Sequence, residues 1–248
     1  MKFEKISVIG LGYIGLPTAA MFASCGANVV GVDVSSAAVE TINRGGIHIV
    51  EPSLEDIVRK SAENGKLKAV YKPEPADAFL ITVPTPFKKD NLDAPEPDLS
   101  FIEAACVAIA PVLKKGNLVV LESTSPVGAT EKVSQWLSEL RPDLILPRNH
   151  DCNSDIFVAH CPERVLPGRI IHELVHNDRI IGGITPKCSQ AAKSLYEMFV
   201  IAECHITNAR TAEMAKLTEN ASRDVQIAFA NELSLICDEQ NINVWELI

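Results

Sequence analysis

Apolar and polar positions along the chain alternate between two rhythms. Four short, β-branched runs read as buried strands: "KISVIG" (Lys5–Gly10), "ANVVGVD" (Ala27–Asp33), "ADAFLITVP" (Ala76–Pro84) and "NLVVLES" (Asn117–Ser123). Between and after them, apolar residues recur every three or four positions. That spacing predicts helices over Ile14–Cys25, Ser35–Gly45, Ser53–Gly65, Leu99–Leu113 and Val127–Leu140. Two of these open on serine and close on glycine, the usual start and stop chemistry. "TPFKKDNLDAPEPD" (Thr85–Asp98) is rich in Pro and Asp and reads as a loop. "DIFVAHCPE" (Asp155–Glu163) and "RIIGG" (Arg179–Gly183) add two strands, and Lys187–Val200 is a helix leading from "RIIGG" to "CHIT" (Cys204–Thr207). Strand and helix in alternation imply right-handed βαβ units and a doubly wound, mostly parallel α/β sheet.

From Asn208 to about Gln240 the pattern changes. Neither Pro nor Gly occurs, and Met214, Leu217, Ala221, Val225 and Ala228 step by three or four. A helix this long exceeds the mean of about 11–12 residues. It reads as a spine joining two bodies or pairing two subunits. Lys216, Asn220 and Arg223, spaced by four and three, share one face of it and are expected beside the apolar stripe. In "NVWELI", Asn243 and Glu246 form a capping-box pattern, and the chain stops within two turns of the helix so announced. The expectation is a piece of a longer protein.

Composition narrows the class. A net charge of −9 supplies no basic face for nucleic acid or an anionic membrane. The seven cysteines (Cys25, Cys106, Cys152, Cys161, Cys188, Cys204, Cys237) lack paired spacing, so they read as reduced thiols of a cytoplasmic protein rather than a disulfide frame or zinc site. The start "MKFEKISVIGLG" has neither a signal-peptide core nor a membrane span. Among six histidines, His172 and His176 are four apart, but "HELVH" lacks the HExxH order and no third ligand presents itself, so no metal is expected.

The first strand and helix are joined by Gly10-x-Gly12-x-x-Gly15. The first glycine makes the turn, the second lets phosphate approach the backbone, and the third lets helix and strand pack closely. A pyrophosphate would sit at the helix N-terminus. Asp33 closes the second strand, where it would bond the ribose hydroxyls. No Arg or Lys follows within "DVSSAAVE", which favours NAD over NADP. "VPTP" (Val83–Pro86) and "ESTSPVG" (Glu122–Gly128) lie at two further strand ends, and Thr85, Thr124 and Thr130 offer hydroxyls there. Such residues also fill ordinary turns. The expected organisation is an NAD-binding Rossmann-like domain over 1–207, then a connecting helix and the start of a helical central region over 208–248.

"GLGYIGLP", "VPTP", "ESTSPVG", "CPERVLPG", "RIIGG" and "AEMAKLTEN" occur in the order found in the UDP-glucose/GDP-mannose dehydrogenase family, which the chain resembles along nearly its whole length. "CPERVLPG" is most like the bacterial branch that oxidises UDP-N-acetyl-D-mannosamine for surface polysaccharides. UDP-glucose dehydrogenases usually carry a second glutamate where Pro167 stands. The resemblance implies oxidation of a sugar C6 hydroxyl to a carboxylate with two NAD. It implies that Glu163 and Thr124 position a water or proton relay, that Lys216 acts as general base or oxyanion stabiliser, and that Asn220 bonds the sugar. Arg164, Val165 and Leu166 would line the sugar site, and Arg223 would reach phosphate. Tyr13, Ile14, Asp33, Thr85 and Thr130 would contact NAD. A lone lysine is ordinarily solvated, and Arg223 could instead pair with Glu219 at i−4.

The family also needs a cysteine nucleophile in a GGxC motif beyond the spine, whose thiolate traps the aldehyde. None of the seven cysteines stands in such a motif, and Cys161 aligns with a packing position. The expectation is that this chain binds NAD, pairs with a second copy through the long helix, and turns over nucleotide sugar negligibly. UDP-GlcNAc or UDP-glucose dehydrogenases, another Rossmann dehydrogenase, and a non-catalytic dinucleotide-binding or dimerisation module are the competing readings.

Overall fold

The computed structural model describes residues 2–88, 95–148 and 153–247. Cys152, His150 and the middle of the expected Thr85–Asp98 loop lie outside them. One sheet of eight strands organises the chain: β1 (Lys5–Ile9), β2 (Asn28–Val32), β3 (Leu67–Val70), β4 (Ala78–Ile81), β5 (Leu118–Leu121), β6 (Phe157–His160), β7 (Arg179–Gly183) and β8 (Cys204–Asn208). Their order is β3-β2-β1-β4-β5-β6-β7-β8, parallel throughout except for the β6–β7 pair. The helices are α1 (Gly15–Ser24), α2 (Ser36–Asn43), α3 (Leu54–Glu63), α4 (Ser100–Ile109), α5 (Ala129–Leu140), α6 (Ile170–His176), α7 (Pro186–Tyr196), α8 (Ala209–Glu239) and α9 (Val244–Leu247).

Burial explains why the central strands show no alternation in sequence. In β4 and β5 every residue is buried. Leu80, Leu118 and Val120 join the core on one face, and Phe79, Ile81, Val119 and Leu121 join the core on the other. A parallel strand covered by helices on both sides must be apolar at both phases of its period-two pleat. The sheet reverses its winding between β1 and β4. In such sheets ligands bind beyond the carboxyl ends of the strands at the switch point.

The structure differs from the sequence reading at four places. β3 was not foreseen: it is four residues, exposes Lys68, and pairs only with β2, so its strand character comes from the neighbour's ladder. α6 is helical over seven residues, too few to show a periodic pattern, and the strand expected to run through "HCPE" ends at His160. β7 runs antiparallel to β6 because the segment between them returns along the sheet without a full crossover.

The fourth difference concerns the long helix. α8 spans 31 residues, with the Asn208 side chain capping its start by accepting from the Thr211 N–H (2.9 Å). Its apolar stripe does not lie beside Lys216. Met214 and Val225 are exposed, while Ala209, Ala212, Glu213 and Lys216 are buried. At 3.6 residues per turn Met214 and Lys216 point roughly 200° apart, so stripe and cation occupy opposite faces. The face that packs on the domain is made of small and charged side chains, and the apolar one is open. No helix among the described residues is long and apolar enough to cross a membrane.

Candidate functional site

Three glycines shape the loop between β1 and α1, each for a different steric reason. Gly10 has φ +93°, and a Cβ there would fall 2.9 Å from the Thr82 carbonyl oxygen. At Gly15 a Cβ would lie 1.8 Å from the Gly10 carbonyl oxygen, so helix and turn touch backbone to backbone. At Gly12 nothing stands within 4 Å. The Thr82 hydroxyl braces the turn by donating to Ile9 (2.9 Å) and Gly10 (2.7 Å) carbonyls. α1 opens with no capping side chain and no acidic residue in its first turn, leaving its amides for an anion.

Asp33, half-buried at the end of β2, leans into this loop. Its Oδ2 accepts from the Leu11 N–H (2.8 Å) and its Oδ1 from the Ser35 N–H (2.8 Å). Those bonds aim the carboxylate, and the remaining lone pairs can accept ribose hydroxyls. Tyr13 is exposed and Ile14 half-buried at the rim. The open space over Gly12, the uncapped helix and the aimed acid together fit a dinucleotide.

Two loops stand beside the cradle on the same sheet edge. The Thr85 hydroxyl donates to the Thr124 carbonyl (2.5 Å), and the Ser123 hydroxyl donates to the Val83 carbonyl (2.6 Å), tying the β4 and β5 exits together. Thr124 is half-buried there. Thr130 stands differently from the expectation of a cofactor contact. It is wholly buried, and both its N–H (2.7 Å) and its hydroxyl (2.6 Å) donate to Glu213 Oε1.

Lys216 turns inward. Its side chain is 6% exposed and its Nζ lies 3.2 Å from Glu163 Oε1. Glu163 follows β6, so the pair sits at the same carboxyl edge as Gly12 and Thr124. Glu163 Oε2 also accepts from the Val165 N–H (3.1 Å). The loop carrying Glu163, Arg164, Val165 and Leu166 is held from below by side chains that sequence reasoning did not single out. Glu51 accepts from the Gly168 and Ile170 N–H groups (both 2.8 Å), Glu173 from Leu166 N–H (2.8 Å), and Asn177 donates to the Arg164 carbonyl (2.6 Å). Arg164 pairs with Glu219 (3.2 Å), so Glu219 is engaged away from Arg223. Asn220 and Arg223 lie exposed along the helix face that carries Lys216. His172 and His176 stack at 4.1 Å on α6, and no group of three potential metal ligands occurs among the described residues.

Behind the site is a buried polar cluster. Glu122 at the end of β5 accepts from the Tyr196 hydroxyl (2.9 Å) and lies 3.6 Å from Arg179. Arg179 in turn lies over the rings of Tyr196 (4.8 Å) and Phe199 (5.7 Å). Burial pushes the Glu122 carboxyl up to about 7, against the pull of Arg179. It pushes the Cys161 thiol up to about 12, which leaves no thiolate there. A charged residue inside an apolar strand, as in "VVLES", was the available signal for Glu122. Nothing comparable marks Arg179 or Tyr196.

The strand order, the glycine cradle and the acid ending β2 define a Rossmann-type NAD-binding domain. Residues 4–200 match the NAD binding domain of the UDP-glucose/GDP-mannose dehydrogenase family and residues 210–248 match its central domain, and the chain belongs to this family. It is 66% identical over its whole length to a UDP-N-acetyl-D-mannosamine dehydrogenase of Yersinia pestis. It is 67% identical, again over its whole length, to an NDP-N-acetyl-D-galactosaminuronic acid dehydrogenase of Ralstonia nicotianae. The chain spans 58% of the length of each of these relatives. A UDP-D-ManNAc dehydrogenase structure from Pyrococcus horikoshii superposes with a TM-score of 0.90 at 45% identity, covering 98% of this chain and 56% of that one.

The glycine geometry separates two substitutions. Gly15→Ala is expected to abolish folding or lower the melting temperature steeply, while Gly12→Ala leaves the melting curve unchanged, both read by thermal denaturation. Glu122 gives a pH signature. Between about 4.5 and 7 the unfolded chain has released this proton while the folded chain keeps it, so its contribution to stability falls as pH rises. His160, buried and lowered to about 3 from 6.5, contributes the opposite slope. The stability difference between wild type and Glu122→Gln isolates the carboxyl. From urea titrations, that difference is expected to shift against wild type by roughly 3 kcal/mol across the window. A flat difference means that burial does not raise the Glu122 carboxyl above its unfolded value.

Proposed function

We propose that this chain is the NAD-binding and hydroxyl-activating part of a nucleotide-sugar 6-dehydrogenase for polysaccharide synthesis. The proposed reaction converts UDP-N-acetyl-D-mannosamine to UDP-N-acetyl-D-mannosaminuronate. The observation that carries the reading is the buried Lys216 ammonium against Glu163, at the sheet edge where the glycine cradle opens. NAD, when bound, takes the hydride from C6 of the sugar. Gly10, Gly12 and Gly15 let the backbone meet its pyrophosphate, Asp33 holds its adenosine ribose, and Tyr13, Ile14 and Thr85 flank it.

Lys216 donates to the C6 oxygen, and its charge offsets the alkoxide that develops as hydride leaves. Glu163 takes up the proton through a water that Thr124 orients. Asn220 bonds sugar hydroxyls and Arg223 meets phosphate, since Glu219 is occupied by Arg164. Arg164, Val165 and Leu166 line the sugar. Half-burial of Glu163, Arg164 and Val165 and the four bonds that support their loop favour a fixed pocket wall there. The thiol for the second oxidation would come from outside these 248 residues. The span of 58% of the relatives' length supports a longer whole protein, with 1–207 as the NAD-binding domain and 208–248 opening the central one.

The exposed face of Met214, Val225, Phe229, Leu235 and Ile236 on α8 supports a homodimer through the long helix. The free thiols support a cytoplasmic setting. A second reading, oxidation of an N-acetylgalactosamine nucleotide, is favoured by the 67% identity to the Ralstonia relative.

The purified chain is expected to bind NAD in calorimetry, and Gly12→Ala to weaken that binding by at least about tenfold, or ~1.4 kcal/mol. No steady NADH formation is expected until the chain is extended to its relatives' length. The extended enzyme should then sediment as a dimer and prefer UDP-ManNAc over UDP-GlcNAc and UDP-glucose. Preference for UDP-GalNAc selects the second reading. Steady turnover by the 248-residue chain contradicts the need for an outside thiol, and a monomer contradicts the helix pairing.

A further inference from the structure

We propose that Glu213 is a positioning residue that locks the Lys216 end of α8 to the β5–α5 loop, holding the ammonium at a fixed place relative to Thr124. Glu213 is wholly buried, in a domain face that offers few reasons to bury a carboxylate. Its two oxygens accept three short bonds: Gly128 N–H to Oε2 (2.6 Å), and Thr130 N–H (2.7 Å) and hydroxyl (2.6 Å) to Oε1. Two of those donors are backbone amides at the first turn of α5, where a carboxylate also meets the positive end of the helix. A second element of α8 therefore serves as the cap that α5 lacks in its own sequence, since Gly128 at its N-cap has no side chain to offer.

The placement links two groups that must act together. Glu213 and Lys216 are three apart, on one face of α8. Thr124 lies in the loop leaving β5; that loop ends at Gly128, and Thr130 stands in the first turn of α5 that follows. A few residues before Glu213, α8 already presses on β7: a Cβ at Gly182 would fall 2.3 Å from the Asn208 carbonyl oxygen and 2.7 Å from the Ala212 side chain. Gly182 blocks α8 from moving toward the sheet, and Glu213 fixes its rotation and axial register. Lys216, one turn on, then meets Glu163 without searching for it. Both Glu213 oxygens accept, and a carboxamide presents a donor where either the Gly128 or the Thr130 N–H requires an acceptor.

The kinetic part of the test rests on the proposed dehydrogenase function; the labelling part does not. Native-state acetylation with acetic anhydride, read by mass spectrometry, compares Lys216 with the exposed Lys115. In Glu213→Gln, Lys216 labelling relative to Lys115 is expected to rise roughly tenfold, as for local opening after loss of a buried charge-assisted bond. Thr130→Val removes one bond and keeps the carboxylate, so a smaller rise in the same direction is expected. In the chain extended to its relatives' length, Glu213→Gln should lower kcat by roughly tenfold and leave KM for NAD unchanged, because the cradle lies at β1. Wild-type labelling in a folded Glu213→Gln, or a wild-type kcat, overturns the proposal. If Glu213→Gln does not fold, Thr130→Val decides alone, and unchanged labelling there overturns it. An extended wild type without turnover on any nucleotide sugar removes the functional reading, while labelling still decides the clamp.

Discussion

The structure depends on a lysine side chain being drawn out of water and set against a carboxylate. Lys216 and Glu163 come from elements far apart in the chain, the long helix and the loop after β6, and meet 3.2 Å apart with the lysine nearly inaccessible. Desolvating such a pair costs about as much as its attraction returns, and removing one partner strands the other at roughly 3–5 kcal/mol. An arrangement of that kind is poor value as a stabiliser. The surrounding scaffold fixes both partners of the pair. Glu51, Glu173 and Asn177 hold the Glu163 loop, and Glu213 and Gly182 fix the helix.

Buried polar and exposed apolar side chains are separated on α8. The face toward the domain carries Ala212, Glu213 and Lys216, where small side chains let the helix approach and charged ones find partners. The opposite face carries Met214, Val225 and Ile236, exposed. A single helix can thus complete a crevice on one side and offer an apolar surface on the other, so changes at the surface need not disturb the ammonium.

Much of this was legible in sequence. The glycine loop announced itself by its spacing, with Gly10 and Gly15 meeting steric demands that only glycine satisfies and Gly12 leaving open space, and Asp33 because an acid ends an apolar strand. α8 was visible from its long period without Gly or Pro. What stayed hidden depends on partners distant in the chain. β3 borrows its strand state from β2, and α6 is too short to show a period. The antiparallel β7 follows from how its connection returns. The stripe and Lys216 were read as neighbours although helical spacing already sets them on opposite faces; what spacing alone does not say is which of those faces is buried. Glu213 looked like any helical surface glutamate until Gly128 and Thr130, more than eighty residues earlier, came to face it. Thr130 shows the converse: a hydroxyl that looked available in sequence is consumed by that same carboxylate.

The most direct test is a crystal structure of the chain extended to its relatives' length, with NAD and UDP-N-acetyl-D-mannosamine bound. The account predicts the sugar C6 oxygen within ~3 Å of Lys216 Nζ, facing the nicotinamide, with a water between Glu163 and Thr124. A sugar bound with C6 remote from Lys216, or a lysine turned away from Glu163 into solvent, contradicts it.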